Sequence, residues 1–230
     1  FDSSSAYSEL KPTERLFDKD QPLSQFSAKV ILCEPVRDQA ESSEPAWSVI
    51  LDRTGFYPES GGQLCDQGKL EDAHVLHVGI NEGVIIHTVD RPLAHGPITG
   101  KIDQFRRDQI SQHHTSVHIV GGSAREILGS HIWQAGSYKS EQLARLDITH
   151  FNRLTRDQLD EIEDHANTIV TENRRILTTV LDRADADKEH GFSIYQGGPP
   201  KHDRIRLVEV EGHDIQACGG THVSNTLEIG

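Results

Sequence analysis

Near residue 105 the hydrophobic pattern changes period, and this change constrains the fold more than any other feature of the chain. Before it, apolar stretches recur at Ser27–Leu32, Trp47–Leu51, His74–Val78 and Val84–Val89. Turn-forming residues separate them at Glu59-Ser60-Gly61-Gly62, Asn81-Glu82-Gly83 and His95-Gly96-Pro97. Short strands at this spacing predict a small barrel or a sandwich. After it, Val117, Val120, Ala124, Ile127 and Leu128 recur at helical spacing, with Gly129 as the stop. Gly121 and Gly122 weaken that helix unless a neighbour packs closely there. A strand pair is expected near 131–138 and 143–149. Thr155, with Gln158 three residues on, forms a capping box that opens a second helix. Leu159, Ile162, Ala166, Ile169 and Val170 share one face of it. Ile176–Leu181, Ile205–Val210 and His213–Ala217 read as strands. The domain division is therefore expected near residue 105, with one part over 1–105 and another over 106–230.

Charge narrows the partners. Lys and Arg total 23 against 36 Asp and Glu, a net charge of −13. A general nucleic-acid binder needs cations to meet phosphates, so this balance argues against one. Arg106 and Arg107, Arg174 and Arg175, and Lys201, Arg204 and Arg206 are candidates for a local basic strip. Each cluster by itself reads as solvated surface. No apolar run is long enough to span a bilayer, so no membrane partner is expected. The polar, serine-rich opening Phe1–Leu10 is not a secretory signal. Cysteines at 33, 65 and 218 are too few and too scattered for a disulfide framework, which favours the reducing cytoplasm. The sequence has no methionine and opens on Phe1, as expected of a fragment, a processed chain or a sequence from which modified methionines were dropped; together with the end at Ile229-Gly230 this favours a fragment over a stand-alone protein.

Four residues have the spacing of metal ligands. His114 and His118 lie four apart on the first expected helix, so both rings leave one face. Cys218 and His222 repeat the separation within Cys-Gly-Gly-Thr-His, where two glycines permit a tight turn. Three imidazoles and a thiolate suit zinc. Spacing alone does not decide the matter. With 14 histidines in 230 residues, chance supplies about one pair at this separation. Two unrelated helix-face histidines and a buried structural cysteine account for the pattern equally well.

The surrounding residues carry more. Phe56-Tyr57-Pro58-Glu59-Ser60-Gly61-Gly62-Gln63 resembles the glycine-rich motif of the alanyl-tRNA synthetase editing module. His114-Thr115-Ser116-Val117-His118 resembles its first ligand pair, Trp133-Gln134-Ala135-Gly136-Ser137 its pocket strand, and Cys218-Gly219-Gly220-Thr221-His222-Val223 its second ligand pair. The motifs occur in the family's order across residues 56–230, and Tyr195-Gln196-Gly197-Gly198 points to the archaeal branch. The resemblance implies an α+β fold: a small N-terminal β-barrel carrying the glycine-rich motif, then an α+β zinc-containing editing core. It implies His114, His118, Cys218 and His222 as ligands of Zn2+, and Gln134 as a substrate-recognition residue. It links Gly61, Gly62 and Gln63 to serine discrimination. The implied partner is the tRNA(Ala) acceptor end carrying serine or glycine, together with the rest of the synthetase chain. The implied activity is hydrolysis of Ser-tRNA(Ala), and of Gly-tRNA(Ala), with no aminoacylation by this stretch. One departure stands out. Editing modules of this family often carry Thr before the second His, where this chain has Val117; a hydroxyl role there is either lost or moved to Thr115 or Ser116, and Val117 also fits the core stripe of the helix.

Such an activity answers a real difficulty. A pocket that accepts alanine cannot strongly reject glycine or serine, which differ by a methyl or a hydroxyl. Zinc would polarise water or orient the aminoacyl group. Four protein ligands, however, close a tetrahedron that a catalytic site leaves open. Other groups read blandly: Glu161, Glu163 and Asp164 as a solvated helix face, His74, His77 and His87 as strand-exposed, and His113 as a surface residue beside a ligand. The alternatives are a stand-alone deacylase of the AlaX type, the related editing module of threonyl-tRNA synthetase, and a non-catalytic zinc-stabilised tRNA-binding module.

Overall fold

The computed structural model describes residues 7, 9–18, 23–36, 45–196 and 203–230. Lys201, and Gly197 and Gly198 of the archaeal-branch motif, lie outside the described residues. The chain divides into two compact units. One comprises the residues up to Ser60 with Leu64–Arg107, and the other comprises Gly61–Gln63 with Asp108–Gly230.

In the first unit, β1 (Glu14–Arg15) pairs in parallel with β4 (Arg53–Thr54). Six strands close into an antiparallel barrel: β2 (Gln25–Pro35), β3 (Trp47–Leu51), β5 (Gly68–Leu70), β6 (Ala73–Asn81), β7 (Val84–Val89) and β8 (Gly96–Ile102), in the order β2-β3-β7-β6-β5-β8. Alternation drives the closure. In β2, Phe26, Ala28 and Val30 turn inward, where Phe56, Leu70, Val78 and Ile85 meet them. A closed sheet leaves no unpaired edge. The expected turn at His95-Gly96-Pro97 instead opens a strand, with Gly96 and Pro97 paired to Val30 and Lys29. Proline is tolerated there because it stands at the strand's start.

Two surface expectations fail in this unit. His74 and His77 are exposed, but His87 is fully buried. Thr54 Oγ1 and the Val49 carbonyl engage its two ring nitrogens at 2.8 and 3.1 Å, and Phe56 meets the ring edge-on. Burial lowers its pKa to about 4. Arg107 is likewise buried rather than solvated. It makes a two-pronged pair with the buried Asp66 and donates to the Gly55 carbonyl at 2.8 Å. A buried guanidinium is tenable only with such partners.

Helix α1 (Gln104–Leu128) ends at Gly129, whose φ is +112°. Gly122 is required by packing, since a Cβ there would lie 2.6 Å from His213 Nε2. The expected strand pair is β9 (Gln134–Lys139) with β10 (Ala144–Ile148), antiparallel. Helix α2 (Arg156–Thr171) has the full capping box, worth about 1 kcal/mol. It buries Ile162, Ala166 and Ile169, while Leu159 stays exposed. Ile119, Ala166, Ile169 and Val210 form one core, and Ala124, Ile132 and Ile162 another. Strands β11 (Ile176–Asp182), β12 (Arg204–Val210) and β13 (Asp214–Ala217) make an antiparallel sheet with β12 in the centre. Helix α3 (Arg183–His190) was not expected: only Ala186 is buried, so it carries no apolar periodicity. Glu161, Glu163 and Asp164 are exposed, as read. All three cysteines are free, and among the described residues no helix is long and apolar enough to cross a membrane.

Candidate metal centre

The second unit brings His114 and His118 of α1 against Cys218 and His222, which follow β13. One donor atom from each lies within 4.8 Å of the others. Cys218 Sγ stands 3.4 Å from His114 Nε2 and 3.3 Å from His222 Nε2. The ring centroids are 4.4 to 5.4 Å apart. The two glycines of the turn do not behave as their spacing implied. Neither has a positive φ, and Gly219 faces open space. Gly220 is needed for approach, because a Cβ there would lie 2.1 Å from His114 Cε1.

The outer face of each ring determines what the inner face offers. Gln63 Oε1 can only accept, so at 2.7 Å it holds the proton on His114 Nδ1. Thr115 gives its one hydroxyl proton to the Ser111 carbonyl at 2.9 Å. Its oxygen therefore accepts from His222 Nδ1 at 3.1 Å and from the Val223 amide at 3.3 Å. In both rings Nε2 is left as a bare lone pair beside the sulfur. His118 Nδ1 faces Asp214 Oδ2 at 3.6 Å without closing a hydrogen bond, and is buried without a partner. Asp214 is itself held by Arg125 at 2.9 Å and by Gln216 at 2.6 Å. This is the outer-shell arrangement that orients imidazoles toward a cation.

Electrostatics point the same way. Burial lowers the pKa of His114 to about 4 and of His222 to about 3. Burial pushes the Cys218 thiol up, but the facing His114 and His222 outweigh it and leave the group well below its ordinary value. The cluster is thus rich in lone pairs and poor in protons, which suits a bound cation. These four residues can hold a metal ion, and their nitrogen and sulfur donors fit zinc. Among the described residues, the two other groups of similar compactness are weaker, since Glu59 already faces His77 at 3.4 Å and Glu126 faces His165 at 3.5 Å.

The remaining residues singled out from sequence gather near the same centre. Gly61 and Gly62 have φ of +58° and +74°, and a Cβ on Gly62 would meet the Ser137 carbonyl at 2.0 Å. Gln63 is fully buried; besides His114, it accepts from the Thr221 amide at 3.1 Å and donates to Thr221 Oγ1 at 2.9 Å. Gln134 is half-buried, with Nε2 donating to Ser137 Oγ at 3.2 Å. Val117 is core, while Thr115 turns its hydroxyl to His222 Nδ1 and Ser116 turns its own to the Gln112 carbonyl. His113 is tied to the Ser140 carbonyl at 2.5 Å. Arg206, read as surface, donates to the carbonyls of Cys218 and Gly220 at 2.8 and 3.0 Å and so braces the turn between Cys218 and His222. Asp214 and Lys139 escaped the sequence reading. The only signal was a polar residue at every second position of β13, where Asp214 and Gln216 are the buried pair.

Comparison with known proteins relates the chain to aminoacyl-tRNA synthetases. Residues 2–104 match the family described as tRNA synthetases class II (A), and residues 205–230 match the threonyl and alanyl tRNA synthetase second additional domain. The alanine-tRNA ligase of Halorubrum lacusprofundi is 43% identical over 229 residues, which cover 97% of this chain and 24% of that protein. The alanine-tRNA ligase of Ignicoccus hospitalis is 43% identical over 224 residues, covering 95% and 24%. That of Halobacterium salinarum is 43% identical over 227 residues, covering 96% and 24%. The chain belongs to the archaeal alanine-tRNA ligase family and spans 24% of the length of these relatives.

Proposed function

We propose that this chain hydrolyses serine, and glycine, wrongly esterified to tRNA(Ala), at a zinc centre held by His114, His118, Cys218 and His222. The observation that carries the reading is the convergence of four donors, three of them imidazoles whose outer nitrogens are tied by Gln63 and Thr115 or face Asp214. A zinc ion there would supply Lewis acidity. The protein's own part is orientation. Gln63 and Thr115 fix the direction of two imidazoles, and Arg206 holds the backbone of the turn that bears Cys218. Gln134, on the neighbouring strand, offers an amide to the amino acid. Water adds to the ester carbon, the bond to the ribose oxygen breaks, and free amino acid and uncharged tRNA(Ala) leave. Discrimination against alanine follows from the polar lining, since a methyl leaves buried polar groups unpaired.

Four protein donors also fit a purely structural zinc, and this favours a second reading as a zinc-stabilised tRNA-binding module. The net charge of −13 weighs against it. One experiment separates the two: metal content and hydrolysis of Ser-tRNA(Ala), measured on the same sample before and after chelation. Turnover that disappears with the metal and returns on zinc addition is expected. Undiminished turnover by the stripped protein would exclude a metal-dependent site, and tRNA binding without turnover in the loaded protein would favour the binding module.

A further inference from the structure

Lys139 is an expensive residue to bury. It is 2% exposed, and among the described residues no carboxylate pairs with it. Burial lowers its pKa, against a smaller upward pull from Cys218. Its ammonium group donates to the Gly61 carbonyl at 3.0 Å and to Ser137 Oγ at 2.6 Å. A cation without a carboxylate partner costs stability that apolar packing would not. Holding the Gly61 carbonyl alone would not call for a charge.

Ser137 shows what the charge does. An ammonium has donors only, so Ser137 Oγ must accept from Lys139. Gln134 Nε2 donates to the same oxygen at 3.2 Å. Both lone pairs are then occupied, and the Ser137 proton has to point elsewhere. It has no acceptor among the described residues. The strand is built to bring the three together. Gly136 pairs with Asp147 but Gln134 with Ile148, so Ala135 is an extra residue. That bulge moves Gln134 onto the face shared by Ser137 and Lys139, which simple alternation would deny it.

We infer that Ser137 is a specificity-determining residue whose O–H donates to the side-chain hydroxyl oxygen of a seryl ester, and that Lys139 is the positioning residue that aims it. The seryl hydroxyl donates a hydrogen bond in turn to Gln134 Oε1, which has no partner among the described residues. An alanyl methyl would leave both groups unpaired, whereas beside a glycyl ester a water fills the space. This inference rests on the hydrolytic reading above.

The test compares the wild type with Ser137→Ala, Lys139→Met and Lys139→Arg, each loaded with zinc and checked for metal content. kcat and KM are measured on Ser-tRNA(Ala) and Gly-tRNA(Ala). Ser137→Ala should lose on the order of 10- to 100-fold in kcat/KM on the seryl ester and stay within about threefold on the glycyl ester. Lys139→Met should follow it, and Lys139→Arg should recover part of the loss. Equal losses on both esters would mean a merely structural role and overturn the inference, as would an unchanged seryl rate in Ser137→Ala. A wild type that hydrolyses neither ester would sink the hydrolytic reading itself, and this inference with it.

Discussion

Replacing Gln63 by leucine tests the outer shell of the centre. Leucine is close to glutamine in size but offers no polar atom, so the packing of this fully buried position is largely kept. Three hydrogen bonds go: Oε1 with His114 Nδ1 at 2.7 Å, Oε1 with the Thr221 amide at 3.1 Å, and Nε2 with Thr221 Oγ1 at 2.9 Å. Thr221 Oγ1 still accepts from Ser111 at 2.8 Å, so two donors are orphaned, the His114 Nδ1–H and the Thr221 N–H. At about 1–3 kcal/mol for each, Gln63→Leu should lose on the order of 2–6 kcal/mol of stability. Freed from its acceptor, His114 can rotate or shift its proton to Nε2, and zinc affinity should fall about 10- to 100-fold. Gln63→Glu keeps the acceptors and should hold zinc far better than the leucine variant. Chelator competition at pH 7 measures affinity, and denaturant unfolding of the stripped protein measures stability. A leucine variant that binds zinc within about twofold of wild type would refute the orienting role, even if it were less stable.

Two further outcomes follow from the geometry. Gly220→Ala should weaken zinc binding by about tenfold or more, because the new Cβ would fall 2.1 Å from the His114 ring, whereas Gly219→Ala, facing open space, should leave it unchanged; equal effects would refute the close-approach account. His87, with its folded-state pKa lowered from 6.5 to about 4, stays neutral where the unfolded chain takes up a proton. Its contribution is complete above about pH 6.5 and is lost as pH falls toward 4, about 3 kcal/mol in all. His114 and His222 act in the same direction, so the readout is the difference between wild type and His87→Gln in unfolding free energy at pH 7 and pH 4. Parallel pH profiles would show that His87 carries none of it.

Much of the fold was legible because its elements are amphipathic. The inward face of β2, the core face of α2 and the capping box at Thr155 all depend on local spacing, which survives folding unchanged. Elements without such a face were invisible, as with α3 and the three-residue strand β5. His87 and Arg107 were misjudged for a related reason. Burial of a polar group depends on partners from other strands or distant segments, here Thr54 and Val49 for the ring and Asp66 for the guanidinium.

The division is sharpest at the candidate metal centre. By itself the sequence determined which residue types stand at His114, His118, Cys218 and His222, and the words around them identified the family. It could not say which ring nitrogen faces inward. That was decided by Gln63, 51 residues from His114, and by Thr115, 107 residues from His222. Proton placement on an imidazole depends on what meets its far side, and only the folded chain brings those acceptors there.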